Sequence, residues 1–409
     1  MSTEKKIKKS PLPLFDSLIH FERTEPEHLN AEHLTDYKNA HAFLSCYKGS
    51  LGTFNAYRRE IERLLHWSWR IAKKSLKQLK RDDIENFIRF CQHPPISWIG
   101  VKKVPRYLDK NKKRMPNPGW KPFLASISKA ARRKGTEVNV EQFALSQGAI
   151  KELFAILSTF FNYLLQEEYV YMNPVALIRQ KSKFIRGRQN QIQVRRLTSL
   201  QWMYVIETAE KMAEKNPAKH ERTLFIMIAL YSMYLRISEL AANERWLPKM
   251  SDFYRDQDGN WWFKTIGKGN KERQIAVSDA MLNALKRYRL FLGYSTLPSP
   301  GDSSPLLLKI KTKAPITSTT YIREIVQLCF DEAIAQLSED GHLEEAESLN
   351  EATVHWLRHT GISEDVKRRP REHVRDDAGH SSSATTDKYI DIELRERHRS
   401  AKKKPIIIN

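Results

Sequence analysis

"NWWFKTIGKGNKERQIAV", Asn260–Val277, is the one clear strand–turn–strand signal in a chain that otherwise repeats with helical periodicity. Aromatic and β-branched residues fill Trp261–Ile266, a Gly-rich tetrapeptide follows, and a second extended run ends at Val277. Two such runs around "GKGN" predict a hairpin. Helical segments are expected on its C-terminal side at about 278–294, 319–337 and 352–366. The fold class is therefore mainly α with a small β-sheet (α+β). Lys268 sits at the hairpin tip between Gly267 and Gly269. Glycine on both sides lets the backbone come close to another surface while the lysine projects. A solvated turn lysine reads equally well from these residues alone.

On the N-terminal side, "LRISEL" places Arg236 at the end of an apolar helix, Leu224–Leu235, with Glu239 one turn on. A buried guanidinium is costly unless it is paired or binds an anion, so an Arg236–Glu239 pair closing the helix is the plain alternative. Thr198 with Gln201 forms a capping box that opens this second domain, 197–409. Before it, 181–196 reads as a basic linker: Arg179–Arg196 holds seven cations and no acid. Residues 35–180 form a helical domain. In it "GTFNAYRREIERLLHWSWRI" puts Phe54, Tyr57, Ile61, Leu64 and Leu65 on one face, and Leu76, Leu79, Ile84, Phe87 and Ile88 repeat the pattern. Residues 1–34 read as a basic polar arm. Within the helical domain, 94–147 breaks the rhythm. Between Lys102 and Lys134 lie twelve Lys or Arg and one acid, Asp109, with Tyr107, Trp120 and Phe123 interleaved. Lys102, Lys103, Arg106, Lys112, Lys113 and Arg114 here, and Arg186 and Arg188 in the linker, are the expected contacts to a phosphate backbone. A solvated basic loop is the alternative.

Composition agrees. The 409 residues carry 69 Lys and Arg against 48 Asp and Glu, a formal net charge of +21, which predicts a polyanionic partner. The apolar run near Leu224–Leu235 is too short to span a bilayer, and the charged N-terminus is not a signal peptide. Three scattered cysteines, Cys46, Cys91 and Cys329, exclude a disulfide framework and a Cys-based zinc site and suit a reducing cytoplasm. His355 and His359 share a helix face at metal-pair spacing, but no H-E-x-x-H pattern or spaced third ligand accompanies them, so no metal is expected.

Taken in order, "LRISEL", "GKGNKER", "HWLRHT", "GHSS" and "TTDKYI" resemble the signature of the tyrosine recombinases of the phage-integrase and Xer type. The resemblance covers about 196–392, and more weakly 35–180, which is similar to that family's helical core-binding domain. It implies that Arg236 and Arg358 are the two catalytic arginines, Glu239 the carboxylate supporting the first, Lys268 the hairpin lysine, His355 and His380 the active-site histidines, and Tyr389 the nucleophile. The chemistry suits these residue types. A phosphodiester under attack gains charge on its non-bridging oxygens, which guanidinium forks bind. The phenol must be deprotonated near cations or a base, and the leaving 5′-hydroxyl needs a proton that Lys268 would give. The resemblance further implies double-stranded DNA with specific recombination sites as substrate and a 3′-phosphotyrosine intermediate. It implies no metal or ATP cofactor, a homotetramer on DNA with a possible accessory DNA-bending protein, no membrane, and a cytoplasmic, nucleoid-associated location. A mobile-element integrase is the expected role. A type IB topoisomerase-like relaxing enzyme, a non-catalytic DNA-binding protein on the same fold and a helical RNA-binding protein are the alternatives. Two departures stand out. Tyr234 occupies a position where the family commonly has glycine, and "EDVKRRPREHVRDDA" is charged where an apolar helix pair is usual. The tail ends in Ile406, Ile407 and Ile408, an apolar anchor for a neighbouring subunit or a frayed end.

Overall fold

The computed structural model describes residues 9–23, 29–110, 113–127, 129–181, 195–267, 269–380, 382–387, 389 and 402. The chain divides into two compact units, Met1–Asn190 and Gln191–Asn409, with the division inside the expected linker. The linker residues 182–194, with Arg186 and Arg188, and the tail isoleucines lie outside the described residues, as do Lys112 and Lys268.

Unit 1 contains α1 (Ala31–Ser45), α2 (Leu51–Trp67), α3 (Arg81–Gln92), α4 (Lys129–Arg133), α5 (Gln147–Gln166) and α6 (Pro174–Lys181). Asn30 and Ser146 start α1 and α5 by accepting from the backbone N–H groups of His33 and Ala149, at 2.8 and 3.2 Å. The apolar face expected on α2 is buried at Phe54, Ile61, Leu64 and Leu65. Leu76 and Leu79 are also buried, but they precede α3: Leu79 is extended, so the helix starts only at Arg81. By length and composition α5 is apolar enough to cross a membrane, yet Leu153, Phe154, Leu157, Phe160, Phe161 and Leu164 lie in the core of this unit.

One expectation for unit 1 needs correction, and one alternative falls away. The segment before residue 34 is no polar arm where it is described. Leu14, Phe15 and Phe21 are core residues, and the backbone N–H of Leu14 donates to Glu62 Oε1 at 2.6 Å. Nor is 94–147 a solvated loop. Its β1 (Ile99–Gly100) pairs in parallel with β4 (Phe123–Leu124), and β2 (Tyr107–Lys110) pairs antiparallel with β3 (Lys113–Pro116). Trp98, Tyr107, Trp120 and Phe123 are buried. The segment ties down the N-terminus: Tyr107 OH donates to Pro13 O at 2.9 Å, and Arg106 Nε to Phe15 O at 2.8 Å.

Unit 2 begins at α7 (Ser199–Lys215), whose capping box joins Gln201 N to Thr198 Oγ1 (3.2 Å) and Thr198 N to Gln201 Oε1 (3.0 Å). The central helix α8 (Pro217–Ser232) buries Leu224, Phe225, Met227, Ala229 and Leu230. After the short α9 (Ile237–Leu240) comes an antiparallel sheet, β5 (Phe253–Arg255), β6 (Trp261–Ile266) and β7 (Glu272–Ala276), in the order β5-β6-β7. The expected hairpin is β6–β7, registered from Trp262 opposite Ala276 to Ile266 opposite Glu272. Strand β5 adds an edge that the sequence pattern did not mark. Phe253, Phe263 and Ile275 turn one face of the sheet into the core. The remaining elements are α10 (Asp279–Phe291), α11 (Thr319–Glu339), α12 (Leu343–Leu349), α13 (Val354–Asp365), α14 (Arg371–Ala378) and α15 (Ser383–Asp387).

Candidate active site

The apolar helix expected to reach Leu235 stops at Ser232, and Tyr234 is left-handed, with φ of 50°. That backbone is one glycine adopts without steric cost, so the requirement persists here with a side chain accommodating it. Arg236 is consequently not the last residue of an apolar helix but the N-cap of α9. Its backbone N–H donates to Glu239 Oε2 at 2.7 Å, and its Nη1 to Oε1 at 3.0 Å. From β7, Arg273 grips the same carboxylate through Nη1 and Nη2 at 2.6 and 2.8 Å, while its Nε donates to Asp377 O at 3.0 Å. Burial alone would raise the Glu239 carboxyl, but Arg273 and then Arg236 outweigh it and hold the group below the usual carboxylate range.

Arg358 projects from α13 into the same region and is buried. Nη1 donates to Tyr234 O, and Nη2 donates to Ala378 O at 2.6 Å and to His380 Nε2 at 3.2 Å. Burial, then the nearby charge of Arg236, lowers its pKa to about 10. An arginine has only donors, so His380 Nε2 is an acceptor here and its Nδ1–H donates to Thr386 Oγ1 at 2.9 Å. Burial, Arg358 and Arg236 push His380 down to about 4, so this imidazole is neutral near pH 7. His355, one turn before Arg358, keeps a solvent-facing side, and desolvation followed by Arg358, Arg323 and Arg236 lowers its pKa. Tyr389 is 7% exposed and packs with Tyr234, Ile362, Val374 and Ala378. Its ring stacks on His380 with centroids 5.7 Å apart, and its hydroxyl is 2.7 Å from His359 Nδ1. Burial raises the phenol's pKa; Arg358 and Arg236 oppose that rise.

Two glycines shape the pocket. A Cβ on Gly361 would meet Tyr231 O at 2.0 Å, so α13 packs on the end of α8 only without one. Gly379, left-handed at the end of α14, would strike Arg273 Cδ at 2.8 Å.

Arg236, Glu239, His355, Arg358, His380 and Tyr389 are thus gathered from four segments of unit 2. Lys268 lies outside the described residues, but Gly267 beside it would carry a Cβ 3.2 Å from Glu239 Oε1 and 3.5 Å from Arg236 Nη1. Sequence reasoning missed Arg273 and the bond made by His359. The first stands in "GKGNKER", the second in "HWLRHT", where it was weighed only as half of a metal pair. Among the described residues no group of three or more His, Cys, Asp or Glu could hold a metal ion. Within the charged segment around Pro370, Arg369, Asp365 and Asp377 form an ion network with Tyr234, while Lys367, Arg368, Arg371, Glu372, His373 and Asp376 are exposed. Arg369 Nη2 donates to Asp377 Oδ2 at 2.6 Å and Nη1 to Tyr234 OH at 3.0 Å, and that hydroxyl donates in turn to Asp365.

The cations expected on the DNA backbone divide. Lys102, Lys103 and Lys113 are exposed. Arg106 is engaged internally, ion-paired to Glu62 and 4.4 Å from the Trp120 ring. Arg114 holds Asp16 through Nε and Nη2 at 2.6 and 3.1 Å, and Asp109 at 3.0 Å. The acids that claim these two arginines, Asp16 and Glu62, come from distant parts of the chain.

Residues 195–395 match the phage integrase family. A search of curated protein sequences returns no match. Among solved structures, XerH site-specific recombinase bound to a palindromic difH substrate, a post-cleavage complex, aligns with a TM-score of 0.54 at 16% identity, covering 91% of this chain and 87% of that one. The pre-cleavage XerH–difH complex aligns at 0.50 and 15% over the same shares. A lambda integrase dimer bound to a COC′ core site aligns at 0.49 and 13%, over 95% and 87%. At these identities the likeness to the two XerH complexes speaks for the fold. Through residues 195–395, the chain belongs to the phage integrase family of tyrosine recombinases.

Proposed function

We propose that the protein is a site-specific DNA recombinase, the integrase of a mobile element, which cuts and rejoins DNA through a covalent 3′-phosphotyrosine on Tyr389. The observation that most supports this is the setting of that phenol: it stacks on His380, bonds to His359 and feels the charges of Arg358 and Arg236. In this reading Arg236 and Arg358 bind the non-bridging oxygens of the scissile phosphate, where each contact is worth about 2.7–4 kcal/mol in the transition state by analogy with oxyanion holes. Glu239 and Arg273 hold Arg236 in aim. His355 lines the pocket, and His380 donates to the phosphate once the anion's charge has raised its pKa and placed a proton on Nε2. Lys268 protonates the leaving 5′-oxygen; the close approach of Gly267 to Arg236 and Glu239 supports that role. Because the phosphotyrosine conserves the bond energy, religation needs neither metal nor ATP.

The partner is duplex DNA with specific recombination sites, gripped in part by Lys102, Lys103 and Lys113, with Lys112, Arg186 and Arg188 as further contacts. Four protomers exchange strands in the cytoplasm, on the nucleoid, with room for an accessory bending protein. The XerH and lambda integrase structures are of DNA-bound recombinases, which agrees with this partner.

A library of nicked duplexes randomised around the nick tests the chemistry and finds the site together. After denaturation, strands linked to protein are collected and sequenced. The wild-type protein should capture a defined sequence and Tyr389→Phe none. Capture by Tyr389→Phe would remove the nucleophile from the scheme.

A further inference from the structure

The phenol of Tyr389 must lose a proton, and the surroundings narrow down what can take it. The guanidiniums of Arg236 and Arg358 only donate. His380 stacks flat on the ring with both nitrogens already bonded, Nε2 to Arg358 and Nδ1 to Thr386. The His355 ring lies 6.4 Å from the His359 ring, on the solvent-facing side. Among the described residues, the hydrogen-bond partner of the phenol oxygen is His359 Nδ1, at 2.7 Å. That is the reach a general base requires.

Building on the recombinase reading, we propose that His359 is a catalytic residue: its Nδ1 accepts the hydrogen bond of the Tyr389 hydroxyl and takes the phenolic proton as the tyrosine attacks. The Tyr389 Oη–P bond forms as the P–O5′ bond breaks. The phenolic proton passes to His359 Nδ1, and the leaving 5′-oxygen takes its proton from Lys268. Religation reverses each transfer.

The electrostatics fit this role. The titratable and charged groups acting on His359 among the described residues are Arg358 and His355 on its own helix, with His380 and Tyr389 facing it from the C-terminal segment. Burial, then Arg358 and His355, hold its pKa to about 4, so the ring is neutral with a lone pair free to accept. A phosphate bound at the arginines offsets those cations and raises the imidazole's basicity when the proton has to move. The tautomer required carries its hydrogen on Nε2 and leaves Nδ1 bare.

Two measurements decide the matter. In protein labelled with ¹⁵N-histidine, with His359→Asn to assign the signal, Nδ1 of His359 should be unprotonated at neutral pH; a protonated Nδ1 overturns the proposal whether or not the protein cuts DNA. Adduct formation is then timed on the captured nicked duplex. His359→Ala and His359→Asn should both slow it by about 10²-fold or more, the usual share of a general base. Their rates should keep climbing with pH where the wild type has levelled off, and added imidazole should partly rescue His359→Ala. Asparagine can hold the hydroxyl but cannot take its proton, so His359→Asn at the wild-type rate and pH profile overturns the proposal. A wild-type protein that forms no adduct on any duplex defeats the recombinase reading instead, and the nitrogen signal still reports on the bond.

Discussion

Each unit holds a cluster of three arginines, and the two clusters are balanced differently. In unit 1, Arg58, Arg106 and Arg114 meet Asp16, Glu62 and, at the surface, Asp109. In unit 2, Arg236 and Arg273 ion-pair with one carboxylate, Glu239, which acts on Arg358 only through its charge, and further donors of the three go to the backbone carbonyls of Gly379, Asp377, Tyr234 and Ala378. A carbonyl satisfies an N–H but leaves the charge standing. The first cluster is neutral overall and acts as a fastener. The second holds a surplus of positive charge that an anion would relieve.

The largest effect should come from breaking the balanced cluster. Arg106→Ala leaves Glu62, 1% exposed, as an uncompensated buried charge. Such losses cost about 3–5 kcal/mol, read as a lower denaturant midpoint for unit 1, while adduct formation per folded molecule stays unchanged. Next in size is Arg358→Ala, which should slow adduct formation by about 10²–10³-fold, or about 2.7–4 kcal/mol. It should also destabilise the fold less than Arg106→Ala, because removing a cation relieves repulsion with Arg236 and Arg273. Equal destabilisation by the two variants would mean that the surplus of charge is not real. Smaller again is Arg273→Lys. A single ammonium cannot hold both Glu239 oxygens and Asp377 O together. The rate of adduct formation should fall about tenfold, the worth of one charge-assisted hydrogen bond, with DNA affinity in a filter-binding assay unchanged. A loss of affinity without a loss of rate would make Arg273 a DNA contact rather than a positioning residue.

The same contrast explains what could be read from the sequence. The helices expected at 278–294, 319–337 and 352–366, the Thr198–Gln201 box and the β6–β7 hairpin follow local rules and stand close to where their patterns put them, whereas the helix over Leu224–Leu235 stops at Ser232 and Leu76 and Leu79 fall outside α3. The site residues were legible because five motifs occur in a fixed order. Long-range pairing was not legible. Arg106 and Arg114 read as phosphate contacts because acids are scarce nearby in sequence, yet Glu62 and Asp16 lie 44 and 98 residues away. Phe15 and Phe21 sit beside a lysine-rich start and carry no periodicity, so their burial depends on partners in α1 and α2, Tyr37 and Phe54. Arg273 was hidden by register: only the pairing of β6 with β7 fixes which side of the strand reaches Glu239. Tyr234 showed as a departure from glycine, but its left-handed backbone and its bond to Asp365 need the third dimension.

Acid should separate the two units by the smallest margin per step. Three histidines, one buried and two half-buried, have well-depressed pKa values. His66 in unit 1 lies at about 3, through burial and then Arg70; His359 and His380 in unit 2 lie at about 4, through burial and then Arg358. Each is neutral when folded and titrates near its ordinary value of about 6.5 when unfolded. Between those limits the unfolded chain binds more protons than the folded one, so stability rises with pH. It is complete above about 6.5 and is lost as pH falls toward about 4, by at most about 1.4 kcal/mol per pH unit for each histidine. His33 in unit 1 and His220 and His355 in unit 2 are shifted in the same direction. The depressed pKa of Glu239 adds its own loss as pH falls below its ordinary value of 4.5, at the acid end of this window. Hydrogen exchange of peptides from α5 and α8, corrected for the intrinsic pH dependence, should therefore show unit 2 weakening about twice as steeply as unit 1. Bound duplex DNA should flatten the slope of unit 2 alone, because a phosphate at the arginines lets His359 and His380 protonate without unfolding. Equal slopes with and without DNA would mean that the two histidines are shielded from the ligand, and the charge surplus would lose its connection to the bound phosphate.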